Sequence, residues 1–196
     1  MLDARCWMLD THAGSIEHLA SRQGRHYKQP GSLAQAAMPA TYQPQLHVAL
    51  YQPEIPYNTG SVGRTCVAVG AKLWLVRPLG FRVDDYYLRR AGLDYWEHLA
   101  WQVVDDWEAL AAELGERRYW LFTKKAERSY LDIEYRPGDV LVFGSESAGL
   151  PDKLLANYGD HQLRIPTRPD VRSLNLSNAV AVAAYEALRQ WGAGPV

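Results

Sequence analysis

From Leu46 onward, short apolar segments alternate with amphipathic ones, and this alternation constrains the fold more than any other feature of the sequence. Five segments predict buried strands: LHVALYQP, KLWLVRP, RYWLFTK, DVLVFG and HQLRIP. Four segments predict helices: NTGSVGRTCVAVG, VDDYYLRRAG, DDWEALAAELG and LSNAVAVAAYEALRQW. Such alternation is typical of an α/β fold with a mostly parallel sheet and helices on both faces. Ligands of such sheets bind beyond the carboxyl ends of the strands.

The first part of the chain lacks this periodicity and ends in a linker-like stretch rich in Pro, Gln and Ala. We therefore expect residues 1–45 to be an N-terminal extension, either disordered or the product of a start codon placed too far upstream. Asp3, Asp10 and Glu17 argue against a secretory signal. Residues 46–196 are expected to form the single folded domain, which is long enough to bury a substantial core.

Composition excludes several classes of protein. The formal net charge is −1, so any contact with nucleic acid depends on local clusters of Lys and Arg. Cys6 and Cys66 belong to no C-x-x-C pair, which argues against a disulfide framework and against a zinc site, and fits a reducing cytoplasm. Because no apolar run is long enough to span a bilayer, we expect no membrane segment.

A glycine turn follows the strand VLVF, in the stretch VLVFGSESAGLPDKLL. Glycine turns before helices commonly bind phosphate, but the carboxylate of Glu146 would repel a phosphate at close range. The residue pattern of this turn matches neither the dinucleotide-binding motif G-x-G-x-x-G nor the nucleophile-elbow motif G-x-S-x-G. The turn therefore binds a neutral or cationic ligand, or else Gly144 and Gly149 only make a tight connection between strand and helix.

Two further segments place polar residues at strand ends. In NTGSVGR, Asn58 is a candidate N-cap residue, and Gly60 and Gly63 suggest that something approaches the helix backbone closely, with Arg64 available to hold an anion. A tolerated pair of glycines beside a solvated arginine is the alternative. In RSLNLSN, polar residues alternate with leucines expected to be buried, so the polar side chains need a ligand or backbone partners, as in an elaborate helix cap. The alanines that follow, including Ala183, give the last helix a surface that another helix can approach closely.

These three segments, in this order, resemble the motifs of the SPOUT superfamily of RNA methyltransferases. NTGSVGR resembles the first motif, FGSESAGLP the second and IPTRPDVRSLNLSNAVAVAAYEALRQ the third. LYQPEIPYNTGSVGRTC, RPLGF and DDYYLRRAGLDYWEH are similar to one branch, the tRNA wobble-nucleotide ribose 2′-O-methyltransferases. The resemblance covers Leu46 to about Gly192 and implies a deep trefoil knot near the C-terminus of the sheet.

The cofactor implied by the resemblance is S-adenosyl-L-methionine, which has no phosphate and is therefore compatible with Glu146 in the glycine turn. By motif position, its adenosyl part is expected to contact Phe122, Gly144, Ile165, Ser173 and Leu174.

The resemblance also implies the catalytic residues, and it singles out Arg64. Because a guanidinium stays protonated in proteins, we expect Arg64 to bind an RNA phosphate and orient the attacking hydroxyl, with the proton leaving through phosphate or water. Asn58, Glu146, Ser173 and Asn175 are expected to fix Arg64 and the surrounding loops. The segment RRAGLDYWEH is either an RNA-binding surface or an ordinary core or dimer surface, and its candidate residues are Arg89, Arg90, Tyr95, Trp96 and His98.

The expected function is S-adenosylmethionine-dependent 2′-O-methylation of the wobble ribose, at cytidine or modified uridine, in a tRNA anticodon stem-loop. The resemblance implies a homodimer, and the chain is expected to work in the cytoplasm without a metal. Two alternatives stay open: the same chemistry on ribosomal RNA, and a non-catalytic RNA-binding protein of the same fold. The sequence does not indicate which tRNA isoacceptors or which wobble base would be chosen.

Overall fold

A six-stranded parallel sheet is the centre of the computed structural model, which describes residues 43–82 and 96–192. The strands are β1 (Leu46–Tyr51), β2 (Ala71–Val76), β3 (Trp101–Val104), β4 (Tyr119–Phe122), β5 (Asp139–Phe143) and β6 (Gln162–Leu163). Their order across the sheet is β3-β2-β1-β5-β4-β6, and every pairing is parallel. The chain divides into two units, Met1–Gly31 and Ser32–Val196, and all described residues belong to the second.

Helices cover both faces of this sheet. They are α1 (Pro56–Val69), α2 (Trp107–Leu114), α3 (Asp152–Leu155) and α4 (Leu176–Trp191), with short 3-10 helices at Trp96–His98 and Gly159–His161. Helices α1 and α4 share one core with alternate strand residues, and α2 and α3 share the other core with the remaining ones. Because both faces are buried, the strands are almost continuously apolar in sequence. The predicted α/β fold is confirmed, and the trefoil knot stays a prediction.

The contact between α1 and α4 is made by small residues. Ala183, Ala184 and Ala187 have no exposed surface and belong to the core that contains α1. The helix that approaches this alanine surface closely is therefore α1 of the same chain. Ala183 is not available for contact with a second copy.

Some sequence predictions differ from the structure, and others lie outside its described part. Strand β3 was not predicted, because WQVV is an edge strand in which three of four residues are half-buried and the apolar signal is weak. Asn58 is not the N-cap of α1, since the helix begins at Pro56 and Ile55 is the cap residue. The predicted helix VDDYYLRRAG and the predicted extension before Gln43 lie outside the described residues.

Candidate active site at the carboxyl ends of the strands

A cleft of about 610 Å³ opens at the carboxyl ends of β4 and β5, beside the start of α1. All five residues expected to contact the adenosyl group line it: Phe122, Gly144, Ile165, Ser173 and Leu174. The residues expected to take part in catalysis are Arg64, Asn58, Glu146 and Asn175, and the last three of these line it as well. Parallel strands bring these segments together because their carboxyl ends meet at one edge of the sheet.

Two stacked aromatic rings form an apolar part of the cleft wall. Phe122 ends β4 and Phe143 ends β5, and the two residues are paired in the sheet. Their ring centroids are 4.4 Å apart with an angle of 13° between the ring planes. Both residues line the cleft, but Phe122 is only 9% exposed and Phe143 2%, so a small part of the pair faces the cleft and the rest belongs to the core.

The glycine turn at residues 144–150 folds back on itself. A Cβ on Gly144 would lie 2.0 Å from the carbonyl carbon of Gly149 and 2.3 Å from the nitrogen of Leu150. The Gly149 amide donates to the Ser145 carbonyl at 2.9 Å, and Gly149 has a φ of 72°, which favours glycine. The close approach that requires a glycine at position 144 is therefore made by the turn's own backbone, while the outer side of the turn borders the cleft.

The Glu146 carboxylate binds the start of α1. Its Oε2 accepts from the Glu54 amide at 2.8 Å, and its Oε1 accepts from the Ile55 amide at 3.3 Å and from Asn58 Nδ2 at 2.9 Å. Helix α1 has no side-chain cap of its own, so Glu146 supplies acceptors to N–H groups at the helix start from another segment. A glutamate in the glycine turn is thus explained by contacts within the protein.

Asn58 connects the first segment to the third. Asn175 Nδ2 donates to Asn58 Oδ1 at 2.9 Å, and Asn175 Oδ1 accepts from the Ser177 amide at 2.9 Å, which makes Asn175 the N-cap of α4. The chain of hydrogen bonds from Glu146 through Asn58 to Asn175 ties together all three segments singled out in the sequence. In this geometry the three residues connect the loops, and their role in catalysis stays a prediction.

Three other residues singled out in the sequence do not have the surroundings expected for them. Arg64 is exposed on α1 and does not line the cleft. Leu174, expected to be buried, is 38% exposed at the cleft, because it precedes α4 and packs only partly. The neighbour that approaches Gly63 closely is Trp96, since a Cβ there would lie 2.9 Å from Trp96 Cζ3.

The expected RNA-binding residues are only partly described. Arg89, Arg90 and Tyr95 lie outside the described residues. Trp96 is half-buried, with its ring 5.4 Å from that of Trp101, whereas His98 is exposed. Trp96 therefore packs largely within the chain.

Several residues at or beside the cleft were not predicted from the sequence. Lys124, Ser147 and Arg172 line it, and Glu54 hydrogen-bonds to Ser147 just outside it. Glu54 carried a usable signal, because a carboxylate that directly follows a strand and a proline sits at the sheet edge where sites form. Lys124, Ser147 and Arg172 are exposed polar residues in loops and carried no comparable signal.

Other reactive groups give no competing site in the part of the chain that the structure describes. Burial raises the pKa of the Cys66 thiol, so it is not a nucleophile at neutral pH. Across residues 43–82 and 96–192, no group of three or more His, Cys, Asp or Glu is placed to hold a metal ion. No helix in these ranges has the length and apolar character required to cross a membrane.

The sheet order and the three tied segments are those of an RNA methyltransferase of the SPOUT type. One solved structure, described as giving structural insights into the 2-OH methylation of C/U34 on tRNA, is 48% identical, with a TM-score of 0.72 over 75% of this chain and 96% of the other. An AdoMet-bound rRNA methyltransferase from Sinorhizobium meliloti is 26% identical, with a TM-score of 0.68 over 74% of this chain and 56% of the other. The chain belongs to the SpoU rRNA Methylase family, whose model matches residues 45–185.

Curated relatives carry a more specific name. A protein of Methylovorus glucosotrophus is 48% identical over 144 residues, which are 73% of this chain and 94% of the relative. One of Burkholderia cenocepacia is 50% identical over 149 residues, which are 74% of this chain and 96% of the relative. Both relatives are named tRNA (cytidine(34)-2′-O)-methyltransferase.

Proposed function

We propose that this chain transfers a methyl group from S-adenosyl-L-methionine to the ribose 2′-hydroxyl of the wobble nucleotide in a tRNA anticodon stem-loop. The observation that carries the proposal is the hydrogen-bonded series Glu146–Asn58–Asn175, which holds the cleft wall in one arrangement. The curated relatives named tRNA (cytidine(34)-2′-O)-methyltransferase support the choice of substrate.

The residues of the cleft fit S-adenosylmethionine. Its volume of about 610 Å³ lies in the range of small-molecule sites. Phe122, Ile165 and Leu174 give the cleft apolar surface that suits a purine, and the turn at Gly144 and the segment at Ser173 border it with backbone groups. S-adenosylmethionine supplies an electrophilic methyl group on a sulfonium. It carries no phosphate, so the cleft needs no phosphate-binding turn.

The chain's own residues contribute position and charge. Asn58 and Asn175 keep the turn and the start of α4 at fixed distances from α1, so that the acceptor ribose meets a preformed site. Lys124 and Arg172 line the cleft, and their cations suit the phosphates that flank the target ribose. Arg64 binds one of these phosphates and orients the hydroxyl, because a guanidinium does not act as a base; the proton leaves to phosphate or water.

The proposal includes a homodimer that works in the cytoplasm, where tRNA is modified. Apolar side chains are exposed on the outer sides of α1 and α4: Tyr57 is 66% exposed, Tyr185 53% and Val182 38%. A groove of about 420 Å³ lies between the two helices, and besides Tyr57 and Ala181 its lining is polar: Asn58, Ser61, Thr65, Asn175, Ser177 and Asn178. Exposed apolar side chains beside a polar groove suit an interface of mixed character, and a second copy that covers them would lie beside Arg64.

The decisive experiment is nucleoside mass spectrometry of tRNA and ribosomal RNA from cells with and without this protein. Loss of a 2′-O-methylated pyrimidine from the anticodon, restored by the purified protein with S-adenosylmethionine, is the expected result. Loss confined to ribosomal RNA would move the activity to that substrate. Unchanged RNA, together with no cofactor binding by calorimetry, would leave a non-catalytic RNA-binding protein.

A further inference from the structure

Glu54 makes a pair of contacts that the proposed chemistry does not use. Its Oε2 accepts from the Ser147 amide at 3.0 Å and its Oε1 from Ser147 Oγ at 2.5 Å. In return, the Glu54 amide donates to the Glu146 carboxylate at 2.8 Å. The segment before α1 and the glycine turn are therefore joined reciprocally, each carboxylate accepting from the backbone of the other segment.

Neighbouring segments fix the backbone of the segment that carries Glu54. Gln52 has a φ of 54°, a left-handed conformation that is uncommon for a residue with a side chain, and its amide donates to the Val76 carbonyl at 2.9 Å. The Gly80 amide donates to the Pro53 carbonyl at 2.9 Å, and a Cβ on Gly80 would lie 2.7 Å from Glu54 Cα. The backbone of Glu54 is thus packed against the RPLGF segment, which fixes where its carboxylate can reach.

The tip of the turn is also held on its other side. The Ser147 carbonyl accepts from the Arg172 guanidinium at 3.2 Å, and both residues line the cleft. Ser147 therefore lies between a carboxylate from the first segment and a cation from the third. Without the Glu54 contacts, the exposed tip of the turn would keep the Arg172 bond, the turn's own bonds from the Ala148 and Gly149 amides to Ser145, and the Glu146 contacts at its base.

We propose that Glu54 is a positioning residue that holds the 144–150 turn in the shape that borders the cofactor cleft. The inference rests on the proposed function, since it assigns Glu54 to the site proposed for S-adenosylmethionine. A turn that is not held beforehand must be ordered when the cofactor binds, and that cost lowers the apparent affinity. Glu54 thus acts on cofactor binding and leaves the rate of transfer from the filled site nearly unchanged.

The test compares Glu54→Ala, Ser147→Ala and the double variant by calorimetry with S-adenosylmethionine and by steady-state methyl transfer to tRNA. In Glu54→Ala we expect Kd and KM for the cofactor to rise about tenfold or more, with kcat at saturating cofactor within about threefold of the parent. Ser147→Ala loses only the Oγ bond and should show a smaller rise. Because both changes remove the same contact, the double variant should resemble Glu54→Ala alone.

Matched variants separate this role from a general loss of structure. Glu116→Gln removes an exposed carboxylate near the amino end of β4, away from the cleft, and should leave both constants at parental values. Glu54→Gln keeps one acceptor oxygen for Ser147 and should recover part of the affinity. If Glu54→Ala does not fold, Ser147→Ala and Glu54→Gln carry the test, because both keep the backbone and most of the packing.

Failure of this inference is distinguishable from failure of the proposed function. A parent protein that neither binds S-adenosylmethionine nor methylates tRNA contradicts the proposed function. An active parent whose Glu54→Ala variant keeps the parental KM, or loses kcat at unchanged KM, overturns the role of Glu54. Additive effects of Glu54→Ala and Ser147→Ala would also overturn it.

Discussion

Asn58 uses both ends of its amide, donating to Glu146 and accepting from Asn175. It is only 5% exposed, so neither end has water as a ready substitute partner. The amide donates from one atom and accepts at another, whereas an aspartate would place a second carboxylate against Glu146. Its position in the first turn of α1 therefore fixes the spacing of three segments.

Arg64 gives a prediction that separates cofactor binding from methyl transfer. Arg64→Ala should keep the parental affinity for S-adenosylmethionine, because Arg64 does not line the cleft. Methyl transfer should fall by about a hundredfold or more, as expected for the loss of a positioning or charge-stabilising group. Arg64→Lys should recover little, since an ammonium lacks the planar two-point contact. Calorimetry and single-turnover transfer at one salt concentration test this, and near-parental transfer in Arg64→Ala would remove Arg64 from the site.

His47 gives a prediction about stability and pH. It is 4% exposed, and its Nδ1 accepts from Trp74 Nε1 at 3.1 Å. Burial, and then the charges of Arg117 and Lys72, lower the pKa of His47 to about 4 from an ordinary value of 6.5. The unfolded chain therefore binds this proton first as the pH falls. The contribution of neutral His47 to the free energy of unfolding is complete above pH 6.5. It is lost as the pH falls from 6.5 to 4, by about 3 kcal/mol in all.

The check is urea unfolding across that pH range for the parent and for His47→Gln, which keeps an acceptor for Trp74 but does not titrate. We expect the difference in unfolding free energy between the two proteins to change across the window and to be constant above it. Parallel pH profiles would show that His47 is not the titrating group.

For single residues of the candidate site, the sequence predicted which residues take part better than it predicted what they do. Asn58, Glu146 and Asn175 were found because uncommon polar residues follow strands, and the structure ties them together. The reason for Gly144 was not predictable, since the backbone that approaches it belongs to a turn whose shape is set by its own hydrogen bonds. Glu54 could have been found from its place after β1, but its role could not, because its partner Ser147 is 93 residues away in the sequence.

Among the elements, α1 shows why some boundaries are predictable and others are not. Its end at Gly70, which has a φ of 66°, follows from local chemistry and was predicted. Its start at Pro56 was placed two residues late, because the acceptor near its first turn comes from Glu146 and not from a neighbouring residue. Strand β3 was missed since an edge strand with half-buried residues has little apolar pattern.

Gly63 gives a prediction about how α1 packs. Gly63→Ala would place a Cβ 2.9 Å from Trp96 Cζ3 and 3.0 Å from Leu99 Cδ2, which forces one of them to move. We expect crowding of about 1–3 kcal/mol, partly offset by about 1 kcal/mol of improved helix propensity, and therefore a net loss of roughly 1 kcal/mol.

Thermal and urea unfolding test this, with Gly159→Ala as the control because a Cβ at Gly159 meets no atom within 4 Å. A Gly63→Ala protein as stable as the control would show that Trp96 can move aside without lowering the free energy of unfolding.

For the whole molecule, the sheet order decides where the site lies, and local sequence does not determine that order. The parallel α/β class followed from alternation, but the pairing of β1 with β5 joins segments far apart in the chain. The gathering of the three segments at one edge came from the family resemblance, whose motifs match the residues that now line the cleft.

The proposed dimer gives a prediction about the oligomeric state of the whole molecule. Tyr185→Glu would place a charge in the exposed apolar patch on α4 and should shift the protein to monomers in sedimentation experiments. Leu131→Glu is the matched control, because Leu131 is 54% exposed and Tyr185 is 53% exposed. A variant at Tyr185 that stays dimeric while the control behaves identically would place the interface elsewhere.

The ties between the three segments also bear on how the chain reaches its native state. Asn58 and Glu146 are 88 residues apart, and Asn58 and Asn175 are 117 apart. Ordering so long a loop costs entropy before the contacts repay it, so these bonds belong to the late steps of folding. The pairing of β1 with β5 spans an equally long loop, so a partly folded chain has helices and the local β1–β2 pair but neither the complete sheet nor the cleft. On refolding from urea, far-ultraviolet circular dichroism should therefore begin to recover ahead of ligand binding, and the number of binding sites per chain becomes a measure of the completely folded fraction.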